Sequence, residues 1–414
     1  MERYDFVLLA AGQGKRLQPM TYSYPKSMIR VLQKPLLEWM VEGILETFGD
    51  QTNHIVMVVG FEKNKIVDHF RHKPYAKKLK FVEQKEQLGT ADALKKAENA
   101  ISTAFFFVLN GDSFFDPSLY SFLLKSTLEG PFLVAKQEKD ASSYGVLIMD
   151  ESDCLKDLVE KPLKSESNDV NTGTLFLPRE FFSELRKVSL SKRKEFELTD
   201  ALLSYAKRKP LKVVEFPGFW TDVGYFWNFL HANQYALEHL MTEAREGSLE
   251  PNVTVKGKLS VAKGAMIKSG TYIEGNAFIG ENSVVGPHAY LRKGVVIESN
   301  CHVGHSTELK ASVVMHNSNA AHLSYIGDSI VCENVNLGAG TMIANLKFDS
   351  SSIMITLHGL TIDSKRNKLG SVVGKGTKTG VNASINCGVL VGEDCRIFPG
   401  VSVYKNVPNG SQVK

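Results

Sequence analysis

Two hydrophobic patterns follow one another along the 414-residue chain. Up to about residue 230, near-continuous apolar runs alternate with amphipathic stretches. "FVLLA", "HIVMVV", "LKFVE", "AFFFVL", "PFLVA" and "LKVVEF" read as strands buried on both faces of a sheet. Between them, residues 35 to 48 open with proline, as helix starts often do, and residues 90 to 101 predict a helix with Thr90 as its N-cap. Such alternation predicts an α/β domain with a largely parallel, Rossmann-like sheet, whose ligands sit at the carboxyl ends of the strands. Residues 226 to 246 predict a further helix, ending near Gly247 and Pro251 and joining this half to the next.

From Val255 the period changes. Small or aliphatic residues recur every six positions at Val261, Ile267, Ile273, Ile279, Val285, Leu291, Ile297, Val303, Leu309, Met315 and Ala321. A step of six scatters residues around a helix, so no apolar stripe forms. Recurrent glycines (Gly257, Gly264, Gly270, Gly275, Gly280) rule out one continuous strand. What remains is a prism of short strands with a corner every six residues, a parallel β-helix of hexapeptide repeats. The period slips by one between Ile326 and Val331, runs through Leu337 and Ile343, and resumes at Val373, Ile385, Val391, Ile397 and Val403. Roughly seven coils at about 4.8 Å per strand predict a prism on the order of 34 Å tall. Residues 352 to 363 interrupt it as a hairpin turning at His358-Gly359. The repeat by itself is equally compatible with a purely structural stalk.

Composition narrows the function. A formal charge of +4 on this length argues against a nucleic-acid surface. No apolar run approaches the roughly 20 residues that span a bilayer, and the start "MERYDFVLLAAG" lacks a secretory leader. The expected setting is cytoplasmic, without a membrane partner. Five cysteines with no Cys-x-x-Cys pair suggest neither a zinc cluster nor a disulfide framework.

The candidate chemistry begins at "FVLLAAGQGKRLQPMTYSYPKSM", residues 6 to 28. A dinucleotide fingerprint would need glycine at Leu17, and a Walker loop would need Ser or Thr at Arg16. Left standing are a strand, a bare-backbone turn through Gly12 and Gly14 able to face phosphate oxygens, and the cations Arg16 and Lys26. Those two glycines alone are better read as an ordinary strand-to-helix turn.

With both halves considered, the chain resembles the sugar-1-phosphate nucleotidylyltransferases that carry a left-handed β-helix. It is most similar to the bifunctional N-acetylglucosamine-1-phosphate uridylyltransferase/glucosamine-1-phosphate acetyltransferase family in its archaeal-type form. The residues carrying the resemblance are Gly12, Gly14, Arg16, Pro25 and Lys26, then "EQKEQLGTADAL", "VLNGDSFF", "SSYGVL", "VEKP", "VNTGTLFL" and "FWTDVG", in family order. The resemblance implies a nucleotidylyltransferase domain over 1–230, a linker over 231–252 and a β-helix acetyltransferase domain over 253–414. It implies a UTP or dTTP site at Ala11, Gly12, Gly14, Gln84, Gly89 and Thr90, with Gln84 on the pyrimidine edge. Magnesium would be held by Asp112 and Asp222, and the sugar-1-phosphate by Gly145, Glu160, Lys161 and Asn171. Arg16 and Lys26 would act on the triphosphate, and Thr199 and Asp200 would support the site.

"SNAAHLSYIGDSIVCENVNLGAGTMIANLKFD" is similar to the family's acetyltransferase segment. That likeness implies His322 as general base, Tyr325 and Asn336 as sugar contacts, Arg292 and Lys310 on the sugar phosphate, acetyl-CoA as co-substrate and a homotrimer formed through the β-helix. The chain departs from the bacterial pattern at Asn345-Leu346 and carries the basic run "SKRNK", 364 to 368, after its hairpin. The same architecture also occurs in monofunctional nucleotidylyltransferases and in non-catalytic protein-binding subunits.

Overall fold

The computed structural model describes residues 2–162, 164 and 167–414. The chain divides into two compact units. One comprises Met1–Gln13, Tyr24–Ile29 and Lys34–Asp222, and the other Gly14–Ser23, Arg30–Gln33 and Val223–Lys414.

In the first unit the apolar runs form one sheet. Its order is Leu155–Glu160, Gly145–Met149, Asp169–Pro178, Phe105–Asn110, Tyr4–Ala10, Thr52–Val59 and Leu79–Glu83. Phe105–Asn110, Tyr4–Ala10, Thr52–Val59 and Leu79–Glu83 run parallel. Asp169–Pro178 continues the sheet antiparallel to Phe105–Asn110 and also pairs with Phe132–Gln137, which is flanked in parallel by Lys212–Glu215. A separate antiparallel pair, Ser113–Phe115 with Trp220–Asp222, sets Asp222 opposite Ser113. The strands read from continuous apolar runs are all present. The antiparallel extension adds the apolar Gly145–Met149 and Leu155–Glu160, and the latter, mixed in polarity, gave no such signal.

Aromatic packing fills one side of this sheet. Phe6 stacks on Phe107 at 4.9 Å, and Phe107 meets Phe176 at 4.7 Å. Each such ring, fully buried, contributes roughly 1.5–3 kcal/mol. Between these apolar neighbours in sequence, Asp5 is wholly buried and accepts from the backbone N–H groups of His54, Ser102 and Thr103. Burial alone would raise this carboxyl, but the hydrogen bonds outweigh it and hold the group below its ordinary value.

The helix Leu36–Phe48 buries one carboxylate against the unit. Glu38 is 6% exposed and is met by His69 Nε2 at 2.7 Å and by Lys73 Nζ. Burial pushes its carboxyl up, yet the hydrogen bonds and charges of His69 and Lys73 prevail and bring it from 4.5 to about 2. A folded-state value below the unfolded one means stability that is complete above the unfolded value and is lost as pH falls through the folded one. Between pH 6 and pH 3 the wild type should therefore lose on the order of 2 kcal/mol through this group, and Glu38→Gln should lose correspondingly less. Urea midpoints at the two pH values check this; an equal drop in both proteins would rule it out.

Two expected boundaries shift. Gly89, not Thr90, is the N-cap of Thr90–Lys96. Its φ is 104°, and a Cβ there would lie 2.5 Å from the Phe196 carbonyl oxygen, so glycine is required. Thr90 Oγ1 instead accepts from Leu198 N at 3.1 Å. The joining helix is regular only over Phe226–Tyr235, and one wider turn, Ala236–Leu240, ends it several residues before Gly247.

In the second unit the hexapeptide pattern is a left-handed parallel β-helix of three faces with eight, nine and eight strands. Its first rungs, Ala244–Arg245 and Ser248–Leu249, lie inside the stretch expected to be linker, and its last is Gln412–Val413. The prism is thus longer than the roughly seven coils that the period alone suggested. Inward residues such as Ile267, Val285, Leu291 and Val303 are fully buried in one continuous core. The register corrects the expected period at two positions. Ile297 pairs with Val314, and Val303 with Ala320, so the first slip falls after Leu309, and Val314 and Ala320 point inward where Met315 and Ala321 were expected. A slip of one turns every following side chain to another face, and the apolar neighbours at 313–315 and 320–321 make either choice legible in sequence. Asn252, Asn282, Asn300, Asn317, Asn334 and Asn382 turn corners with φ between 56° and 64°, a conformation that asparagine tolerates better than most residues. The expected hairpin is present, Met354–Leu357 antiparallel to Leu360–Asp363, with His358 and Gly359 both at positive φ.

Candidate functional site

In the α/β unit the two expected metal carboxylates converge on one lysine. Lys26 Nζ lies 2.6 Å from Asp112 Oδ2 and 3.2 Å from Asp222 Oδ1, with its own side chain only 8% exposed. Three chain segments build this point. Lys26 starts a short turn after Pro25. Asp112 follows the central strand Phe105–Asn110, and Asp222 closes the strand that pairs with Ser113. The cluster therefore sits at the carboxyl end of a central strand. Two carboxylates gathered at one point fit magnesium, which takes few protein oxygens and keeps several waters. Among the described residues no group of three or more His, Cys, Asp or Glu is arranged to hold a metal.

Ala11 and Gly12 follow the strand Tyr4–Ala10, and the Ala11 carbonyl accepts from Gln87 Nε2 at 3.0 Å. Gly14 has left-handed backbone, and it and Arg16 belong to the second unit, where the Arg16 guanidinium lies 4.9 Å over the Tyr225 ring. Gln84 is 3% exposed, and its amide nitrogen donates to Gly89 O at 3.1 Å and to Asp92 Oδ2 at 2.9 Å. Both amide hydrogens are thus committed to bracing the turn before Thr90–Lys96, which differs from the free donor expected for a base contact. Glu160 stands opposite Gly145 in an antiparallel pair, and Lys161 follows with φ 47°. Asn171 Oδ1 accepts from Gly173 N at 2.9 Å. Gln87 and Asn110, whose side-chain amide lies against Gly173, were not singled out in sequence, although Gln87 stands within the quoted "EQKEQLGT" segment.

In the β-helix, Arg292, Lys310 and Tyr325 come from successive rungs of one face. Arg292 Nη1 donates to Glu308 Oε1 at 3.1 Å. Arg292 and Lys310 also line an open groove of about 460 Å³ with Lys256, Lys293, Glu238 and Glu274. His322 and Asn336 lie on the neighbouring face, with Asn336 beside Asn319 and His322 at the corner end of Asn319–His322. His322 is exposed and stands in register with His305, whose ring centroid is 5.9 Å from that of His288. The His302 imidazole is pushed below its ordinary value by burial first, then by Lys268 and by His322. Cys301, Cys332 and Cys395 are buried; burial pushes the Cys301 thiol up to about 12, and the Cys332 thiol is also raised. Among the described residues no helix is long and apolar enough to cross a membrane.

Comparison with known proteins reaches the whole chain. Residues 6–239 match the family model described as Nucleotidyl transferase, and residues 273–364 the model described as GMPPB C-terminal domain. Over 410 residues the chain is 38% identical to a bifunctional sugar-1-phosphate nucleotidylyltransferase/acetyltransferase of Sulfurisphaera tokodaii, covering 98% of this chain and 99% of the relative. It is 37% identical over 410 residues to the bifunctional protein GlmU of Methanocaldococcus jannaschii, with 99% and 97% covered. Among solved structures, a UDP-glucose pyrophosphorylase in complex with UDP-glucose matches with a TM-score of 0.52 at 25% identity, over 57% of this chain and 99% of that one.

Proposed function

Because the chain belongs to the bifunctional sugar-1-phosphate nucleotidylyltransferase/acetyltransferase family, we propose that it makes a nucleotide-activated N-acetylated amino sugar in two steps at two sites. The observation that carries the first site is the pair Asp112 and Asp222 closing on the buried Lys26. The sugar-1-phosphate oxygen attacks the α-phosphorus of UTP or dTTP in line, and pyrophosphate leaves. Charge then gathers on phosphoryl oxygens, so fixed cations supply most of the effect. Lys26 and Arg16 face the triphosphate, the latter carried by the turn at Gly12 and Gly14. Glu160, Lys161, Gly145 and Asn171 hold the sugar phosphate, Ala11, Gly89 and Thr90 bound the base, and Gln84, its amide hydrogens taken, keeps its carbonyl oxygen to accept from the base N3–H. Asp112 and Asp222 would hold magnesium, which neutralises phosphate oxygens when bound. The nucleotidyl site is assigned to residues 1–230 and the acetyl site to 253–414.

At the second site, His322 as a neutral imidazole takes the proton from the amino-sugar nitrogen, which then attacks the acetyl-CoA thioester carbonyl and expels the thiol. Arg292 and Lys310 hold the phosphate, and Tyr325 and Asn336 the sugar. Leu323, Val381 and Phe398 are 55%, 51% and 39% exposed, and all lie at the corner that His322 precedes. Such an apolar edge supports assembly with further copies of the chain, and we assign a cytoplasmic homotrimer.

One preparation tests these assignments. With glucosamine-1-phosphate, acetyl-CoA, magnesium and UTP or dTTP, the expected product is the nucleotide-activated N-acetyl sugar. ATP, GTP and CTP should support far less turnover, and light scattering should give three times the 45.9 kDa of one chain. Preference for a purine nucleotide would reject the base site, and a monomer with full acetyl transfer would reject the trimer.

A further inference from the structure

Asp328 joins residues that the acetyl-transfer reading treats separately. It turns the corner after Tyr325–Gly327 with φ 47°. Its Oδ1 and Oδ2 lie 3.0 Å and 2.8 Å from Lys310 Nζ, and Oδ2 also accepts from Asn345 Nδ2 at 2.5 Å. Asn345 in turn stands beside Tyr325, across Gly327. The position between them is tight: a Cβ on Gly327 would lie 2.6 Å from both Asn345 Nδ2 and Tyr325 Oη. The Lys310 and Asp328 side chains are only 21% and 15% exposed, unlike a surface pair, where solvent screens most of the interaction. The half-buried Arg366, from the basic run after the hairpin, adds a second cation whose charge Asp328 feels.

Lysine has four rotatable side-chain bonds and ordinarily surrenders that freedom on binding an anion. Here a two-oxygen clasp has fixed it beforehand. We propose that Asp328 is a positioning residue of the acetyl-transfer site, holding Lys310 directly, and Tyr325 through Asn345, in the arrangement that grips the amino-sugar phosphate. This rests on the reading of Lys310 and Tyr325 as substrate contacts.

Asparagine has nearly the shape of aspartate and also tolerates left-handed backbone, so Asp328→Asn removes the charge and spares the corner. The KM for glucosamine-1-phosphate should rise about tenfold, the worth of one charge-assisted hydrogen bond, while the KM for acetyl-CoA and kcat hold. The double variant with Lys310→Met should be no worse than Lys310→Met alone, as expected of a residue acting through another. An unchanged KM in Asp328→Asn, or additive losses in the double variant, overturns the proposal. Nucleotidyl transfer and the melting temperature report folding. If Asp328→Asn does not fold, Asn345→Ala cuts the branch to Tyr325 alone; a KM rise of about threefold, the net worth of a modest hydrogen bond, supports the proposal and no change overturns it. If Lys310→Met leaves acetyl transfer untouched, the reading of Lys310 itself fails and the proposal with it.

Discussion

Asp112→Asn should lower nucleotidyl transfer by roughly 10²- to 10³-fold, the scale of losing one electrostatic support of a transition state, and leave acetyl transfer near its wild-type rate. Asparagine keeps the volume and one acceptor oxygen but removes the charge from a pair that converges with Asp222 on Lys26. Two consequences combine. The metal site drops from two carboxylates to one, and magnesium binds weakly to a neutral amide. Lys26, nearly buried, keeps one carboxylate where it had two, so it is held less firmly. Raising magnesium should recover part of the rate if weakened metal binding is the main cause. Asp112 and the proposed acetyl-site residues belong to different compact units, so acetyl transfer by the same protein is the internal control. Steady-state rates of both reactions, measured alongside the melting temperature, decide it. Equal loss of both activities in a folded protein would reject two separate sites, and full nucleotidyl activity would reject Asp112 as a ligand.

His322→Ala should lower acetyl transfer by roughly 10²- to 10⁴-fold, the usual contribution of a positioned general base, with nucleotidyl transfer almost unchanged. His322 is exposed at the end of a rung, where a substrate can reach it and where a merely solvated histidine would also stand. The pH–rate profile separates these roles. A neutral imidazole base imposes a limb that rises with pH, and that limb should be missing in the variant. His305 is in register with His322, and His302 feels its charge, so His302→Ala and His305→Ala are the matched controls. Wild-type acetylation by His322→Ala, with the limb retained, would move the base to one of these neighbours.

Periodicity carried much of the fold. Ile267, Ile273, Ile279 and Val285 required a prism of short strands because a six-residue step leaves no stripe on a helix and the recurrent glycines break any single long strand, and they do lie together in its core. Continuous apolar runs such as "FVLLA" likewise required strands covered on both faces, and the ordered motifs required the family. These are local properties, set by side-chain spacing along a few residues. The tertiary structure decided what spacing leaves degenerate. Adjacent apolar residues at 313–315 and 320–321 permit two registers, and only pairing with the preceding coil selects Val314 and Ala320. Gln84 presented the right amide in sequence, but only the packed turn reveals that Gly89 O and Asp92 already take its hydrogens. The convergence of Lys26 with partners 86 and 196 residues away, and of Lys310 with Asp328 across neighbouring rungs, depends on strand pairing between distant segments. Chain spacing says nothing about which distant polar groups will be brought within hydrogen-bond reach; burial of the apolar faces decides that, and the polar clusters then sit where the packed backbone leaves them.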